Sequence, residues 1–229
     1  MSLTGNPDYE TKTSYSFTVL ATDAAGNTSE QAVTLAINDV DDTAPTVSSV
    51  AISSATGALN SRLNAGDVVS VTVTMSEATT VTGTPQVALN VGGSTVQASY
   101  VSGSGGTALL FQYTVQGGDT DANGISIGAN ALQLNGGTLR DAASNNATLT
   151  HGAVANNASY LVDTATPVIS SGALASALNE NAGTGQLVYT AAATDASVVS
   201  YSLKAAGDHA AFSINTSTGA VTLTGNPDH

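Results

Sequence analysis

The sequence predicts an all-β protein built of Greek-key β-sandwiches, on three observations. Apolar and polar residues alternate with a period of two in several stretches, which gives a strand one buried and one solvated face. Turn-forming residues recur about every 8–12 positions, the rhythm of short antiparallel strands. The Ala-rich stretches carry Thr, Ser, Gly and Asn at positions that spoil a 3.6-residue period, so no helix is expected.

In chain order, Tyr15-Ser16-Phe17-Thr18-Val19 and Val33-Thr34-Leu35-Ala36-Ile37 alternate and read as two strands. Val69-Ser70-Val71-Thr72-Val73-Thr74-Met75 is the strictest alternation in the chain. Val87, Leu89 and Val91 face Val96, Ala98 and Tyr100 across Gly92-Gly93, which reads as a hairpin turn. Leu109, Phe111, Tyr113 and Val115 form another alternating set. Two Asp/Thr/Pro segments, Asn38 to Pro45 and Val162 to Pro167, each follow a strand and end in proline, as a stiff interdomain joint would. They divide the chain into segments 1–43, 44–166 and 167–229.

Composition narrows the function. Of 229 residues, 41% are hydrophobic, enough for folded cores and too many for a disordered chain. Only 9% are charged, with 17 acidic against 4 basic residues and a net charge of −13. Lys12, Arg62, Arg140 and Lys204 are scattered and build no basic patch, which argues against nucleic acid and anionic membrane as partners. With no cysteine, a disulfide scaffold, a thiolate metal site and a cysteine nucleophile are excluded. No apolar run reaches the length of a membrane-spanning helix. The first residues read as a start inside a domain, with Met1 and Ser2 as cloning residues and His229 as the stub of a tag.

The chain also repeats itself. Leu3-Thr4-Gly5-Asn6-Pro7-Asp8 recurs as Leu223-Thr224-Gly225-Asn226-Pro227-Asp228, 220 residues on. Six identical residues in order imply a tandem array with a period near that offset.

Read across that repeat, the outer segments resemble two halves of one cadherin-like domain. Leu178-Asn179-Glu180-Asn181 resembles the acidic opening of such a domain, and Ala193-Thr194-Asp195 with Val199 to Leu203 resembles its second strand. Phe212-Ser213-Ile214-Asn215 with Thr218-Gly219-Ala220-Val221 is similar to the family's F-x-I-D-x-x-T-G-x-I. After the wrap, Asp8-Tyr9-Glu10 resembles D-[RY]-E, and Tyr15 to Asp23 resembles Y-x-F-x-V-x-A-x-D. Asp39 to Pro45 resembles the D-x-N-D-N-x-P linker. The middle segment looks like a bacterial Ig-like module of large RTX or biofilm-type surface adhesins. It carries Val81-Thr82-Gly83-Thr84-Pro85, Gly118 to Ile125 and Leu139 to Ala147. The resemblance implies one complete Ig-like domain (44–166) between the C-terminal half of a cadherin-like domain (1–43) and the N-terminal half of the next (167–229).

It also implies calcium. Glu180, Asp8, Glu10, Asp39, Asp41 and Asp42 fall at one pole of the cadherin-like domain, and Asp195 and Asp23 at the other, beside a linker of the Asp163 type. Ser197 stands where the family has a second acid, so one or two ions at the Asp39–Asp42 joint are expected rather than a full cluster. Physical chemistry agrees for Asp39, Asp41 and Asp42: like charges crowd one short linker with no Lys or Arg close in sequence. Asp119, Asp121 and Asp141 with Asn145 fit either an ion site or an ordinary Asx-type loop. For isolated acids such as Asp67 and Asp208 the solvated-surface reading is preferred.

No catalytic signature is present. His151, His209 and His229 lack metal-ligand spacing, and there is no H-E-x-x-H, G-x-S-x-G or phosphate loop. The expected role is a calcium-stabilised extender of a secreted or cell-surface bacterial adhesin, and not an enzyme. Its expected partners are neighbouring repeats and, through the split halves, other copies of itself, as a head-to-tail assembly or a closed dimer. Two other roles are compatible with the sequence: a carbohydrate- or protein-binding adhesive module, and an accessory region of a large secreted enzyme.

Overall fold

The computed structural model describes residues 5–227; Met1, Ser2 and His229 lie outside them. The described chain is all-β, its single helical element being a short 3-10 turn at His209–Ala211. The strands are β1 (Ser14–Thr22), β2 (Thr28–Ala36), β3 (Val47–Thr56), β4 (Arg62–Leu63), β5 (Val68–Thr82) and β6 (Gln86–Val91). There follow β7 (Ser94–Ser102), β8 (Gly106–Thr114), β9 (Thr120–Asp121), β10 (Ser126–Gln133), β11 (Thr138–Arg140) and β12 (Leu161–Asp163). The last five are β13 (Val168–Ile169), β14 (Leu187–Thr190), β15 (Ala193–Thr194), β16 (Phe212–Ile214) and β17 (Ala220–Leu223).

The main sheet has the order β10-β6-β7-β8-β5, with β3 and β11 pairing successive parts of β5. All of these pairs are antiparallel. A smaller sheet, β4-β12-β9, supplies a second layer. Period-2 patterning explains the main sheet. Val69, Val71, Val73 and Met75 of β5 point inward together with Val87 and Leu89 of β6 and Leu109 and Phe111 of β8. Leu63 of β4 and Val162 of β12 join the same core from the other layer. Tyr100 and Phe111 meet edge to face, with ring centroids 5.7 Å apart. Gly92 and Gly93 turn β6 into β7 with φ of 55° and 92°, both in the left-handed region that a two-residue hairpin loop requires.

The core runs along β5 and marks two poles. At one pole β3 begins, and Thr148 N–H donates to Pro45 O at 2.8 Å. At the other, β3 ends opposite Val68, close to the exit strand β12.

Outside this core the sheets are small. β1 and β2 pair with each other in register, Tyr15 with Leu35 and Phe17 with Val33, and with no further strand. Towards the C-terminus, β13 pairs β15, and β14-β17-β16 form a three-stranded sheet. Val199, Tyr201 and Leu203 are half-buried and alternate with exposed Ser200 and Ser202, yet this segment joins no sheet. The strand expected there is not formed, and Tyr201 N–H donates instead to Thr216 O at 2.8 Å.

Candidate metal centre

The longest strand positions the site. Alternation carries β5 as far as Met75, and then its register against β8 shifts between Thr74 and Thr79. Glu77 sits in that irregularity and is half-buried. The first linker is stitched to the residue before it: Thr46 N–H donates to Ser76 Oγ at 2.9 Å, and Ser76 N–H to Thr46 O at 2.8 Å. Asp141 follows β11 and is buried. Asn145 holds its carboxylate, donating from the backbone N–H to Oδ1 and from Nδ2 to Oδ2, each at 2.8 Å. The same Nδ2 also donates to Asp41 O at 3.0 Å, tying the linker to this loop.

The result is a convergence of three carboxylates from distant parts of the chain. Oxygens of Asp41, Glu77 and Asp141 all lie within 4.8 Å of one another, the one such group of three among the described residues. The carboxyl of Glu77 is held above its ordinary value, first by burial and then by the charges of Asp41 and Asp141. Three of the four basic side chains are engaged elsewhere. Lys12 Nζ lies 4.4 Å from the centre of the Tyr15 ring, and Arg140 Nε donates to Asn146 Oδ1 at 2.8 Å. Arg62 acts on Asp195. Crowded acids without a cation favour either a proton or a metal ion. Oxygen-only donors, with no thiolate or imidazole among them, suit a hard divalent cation such as calcium.

Of the acids expected to bind calcium, Asp41 alone enters this group. Glu77 was not legible as a ligand. The available signal was an acid placed where the β5 alternation breaks. Asp39 and Asp42 are exposed and act on Glu10 instead. A backbone hydrogen bond lowers Glu10, but its bond to Asp8, burial, and the charges of Asp42 and Asp39 together raise it. Asp8 is lowered, chiefly by the Thr11 hydroxyl, which donates to Oδ2 at 2.8 Å; the N–H groups of Glu10 and Thr11 donate to its Oδ1. Asp23 closes the β1–β2 turn, where the Asn27 side chain lowers its carboxyl most. Glu180 is exposed in the C-terminal segment. The single chain brings Glu180 into no group of three with Asp8 and Glu10, nor Asp23 with Asp195.

Asp163 and Asp195 do approach each other. Asp195 is lowered first by the Ser197 hydroxyl, which donates to it at 2.6 Å, and further by Asp163 and Arg62. Both acids line a cavity of about 750 Å³ at the second joint, together with Asp67 and Arg62. Asp195 thus lies beside Asp163 of the segment Val162 to Pro167. Asp119 and Asp121 are occupied by their own loops. Asp119 Oδ2 accepts from the Tyr113 hydroxyl at 2.5 Å and from Gln116 N–H. Asp121 accepts from the N–H groups of Gly92, Asn123 and Gly124.

No family model matches the chain, and no curated protein matches it. Solved structures of cadherin ectodomains do align. Protocadherin Gamma B2 extracellular cadherin domains 1–5 align at 19% identity and a TM-score of 0.34, over 98% of this chain and 41% of that one. The protocadherin GammaB4 extracellular domain gives 16% and 0.32, over 97% and 34%. The protocadherin gammaB7 EC3-6 cis-dimer structure gives 19% and 0.36, over 97% and 52%. The chain thus spans about a third to a half of each.

Proposed function

We propose that this chain is a structural extender of an extracellular adhesive protein, stiffened by calcium at its joints. The observation that carries the reading is the meeting of Asp41, Glu77 and Asp141. Asp41 belongs to the linker, Glu77 to the longest strand and Asp141 to a loop of the sandwich. A cation bound by all three ties the preceding segment to the sandwich and restricts the angle between them. Such a tie has no use for a cleft or a nucleophile, and the work it supports is mechanical rather than catalytic. The tandem repeat, the acidic surface and the lack of cysteine support a secreted or cell-surface location in a repetitive bacterial adhesin of the RTX or biofilm type. The segments 1–43 and 167–229 are read as complementary halves that self-associate. Asp163 and Asp195 form a second candidate calcium position, at the other joint.

Calcium titration followed by thermal unfolding tests the reading. Affinities of extracellular modules run about 10⁻⁴–10⁻³ M. At a calcium concentration a hundredfold above Kd, the sandwich should gain about 2.7 kcal/mol. Asp141→Asn should abolish that gain. An unchanged melting temperature at that hundredfold excess of calcium, or the same gain in Asp141→Asn, would reject the proposal.

A further inference from the structure

We propose that Asn135 is a site of spontaneous covalent modification. The Gly136 backbone nitrogen attacks its side-chain amide and converts the residue, through a cyclic imide, into aspartate and isoaspartate.

Ring closure of this kind needs an asparagine followed by a residue with no side chain to hinder it. The nitrogen of that following residue must also be free of hydrogen bonds, and water must reach the ring. The chain holds two Asn-Gly pairs, Asn123-Gly124 and Asn135-Gly136. The fold treats them in opposite ways.

At the first pair the nucleophile is clamped. Gly124 N–H donates to Asp121 Oδ1 at 2.7 Å, and Asn123 N–H donates to the same oxygen at 3.0 Å. Asp121 is 2% exposed, and Gly124 is itself buried. Freeing that nitrogen strands a buried carboxylate without its donors.

At the second pair the nucleophile is free. Asn135 and Gly136 are both exposed, in the turn between β10 and β11. Their φ values of 47° and 79° place both in the left-handed region. The turn is closed by the next residue instead, with Gly137 N–H donating to Leu134 O at 2.8 Å. Gly136 N–H has no hydrogen-bond acceptor among the described residues. A Cβ on Gly136 would meet nothing within 4 Å, so a ring has room to form there. The leaving nitrogen, Asn135 Nδ2, is held by one bond, to Thr84 O at 3.2 Å.

The step balances without any partner but water. Gly136 N bonds to Asn135 Cγ, and Nδ2 departs as ammonia with the proton that Gly136 N gives up. Water then opens the imide. Breaking the new bond gives aspartate, and breaking the original peptide bond gives isoaspartate, with the backbone routed through the side chain. Nothing is oxidised or reduced. Isoaspartate adds one carbon to a turn that has no slack, since a Cβ on Gly137 would lie 2.2 Å from Thr82 O. Beyond it β11 pairs β5 from Thr138–Thr82 to Arg140–Thr80, with Leu139 buried between. The modified chain therefore loosens β11 against β5 and carries one more negative charge.

The test incubates the full chain in mildly alkaline buffer, folded and in urea, and follows both asparagines by peptide mapping and mass spectrometry. In the folded chain Asn135 should convert about 100-fold faster than Asn123, which reacts only through local opening. In urea the two rates should agree within about threefold. Gly136→Ala should slow conversion of residue 135 about tenfold or more in urea, where any effect of the substitution on folding is absent. Equal rates at the two sites in the folded chain, conversion of Asn135 only after unfolding, or an undiminished rate in Gly136→Ala would each overturn the proposal.

Discussion

The sandwich and the segments flanking it are written with the same small side chains and the same alternation, yet they bury them very differently. Val69, Val71 and Val73 in β5 are fully buried. Val19 and Leu35 in β1 and β2 are 50% and 42% exposed. Outside the sandwich, the buried apolar side chains among the described residues are Val188 and Val221. The difference lies in layers. β5 has a strand on each side and β4 and β12 across the core, whereas β1 has β2 and nothing above it. Alternation prepares a face, and only a second layer converts it into stability.

The sharpest way to break the comparison is to truncate equivalent aromatics. Phe111→Ala should cost the sandwich about 3–5 kcal/mol, because a fully buried ring leaves a cavity. Phe17→Ala should leave the same unfolding transition within about 0.5 kcal/mol, as a surface change does. Urea denaturation of both variants as monomers decides it, and equal losses would mean that the hairpin belongs to the sandwich core.

Next in size is Gly124→Ala. Gly124 has φ of +97°, and a Cβ there would lie 2.1 Å from Asn157 O. The loss should be about 1–3 kcal/mol or more. It should fall on the sandwich transition alone, since Gly124 N–H also donates to buried Asp121 at 2.7 Å. Gly26→Ala in the β1–β2 turn also meets a positive φ, but with no atom within 4 Å, and should leave that transition unmoved.

A smaller effect should change sign with calcium. Glu77 is held above its ordinary carboxyl value, so the folded state binds its proton more tightly than the unfolded chain does. Its contribution is therefore fully present at acid pH and is lost as pH rises through the range above 4.5. Glu77→Gln should raise the melting temperature in EGTA at neutral pH and lower it in calcium. The same sign in both buffers would detach Glu77 from the cation. Smallest is the effect at Tyr113, whose hydroxyl is pushed up to about 12 by burial and by its bond to Asp119. The sandwich should lose a little stability between pH 10 and about 12, and absorbance titration should show one late tyrosine.

Much of the sandwich was legible because its signals are local. The β5 alternation and the Gly92-Gly93 turn each need only a few neighbouring residues to recognise. The cluster of Asp41, Glu77 and Asp141 was half legible. Asp41 belonged to a visible acidic run, but Asp39 and Asp42 belong to it equally, and only the fold decides which of the three turns toward β5. Glu77 and Asp141 were separated from Asp41 by strands whose pairing no local pattern reveals. The segment 199–203 shows the opposite failure. Its pattern reads as a strand, and what it lacks is a partner, which no property of its own residues could disclose.

One consequence of the β5 geometry concerns tension. The chain enters the sandwich at one pole, beside Pro45, and leaves it at the other, after β12. A pull applied through the two poles would therefore run lengthwise along β3, parallel to its ladder with β5. Loaded that way, the rungs from Val47–Met75 to Thr56–Val68 resist together in shear instead of opening one by one like a zipper. A tie through Asp41 and Glu77 would pass part of the pull directly to β5, the strand that also holds β8.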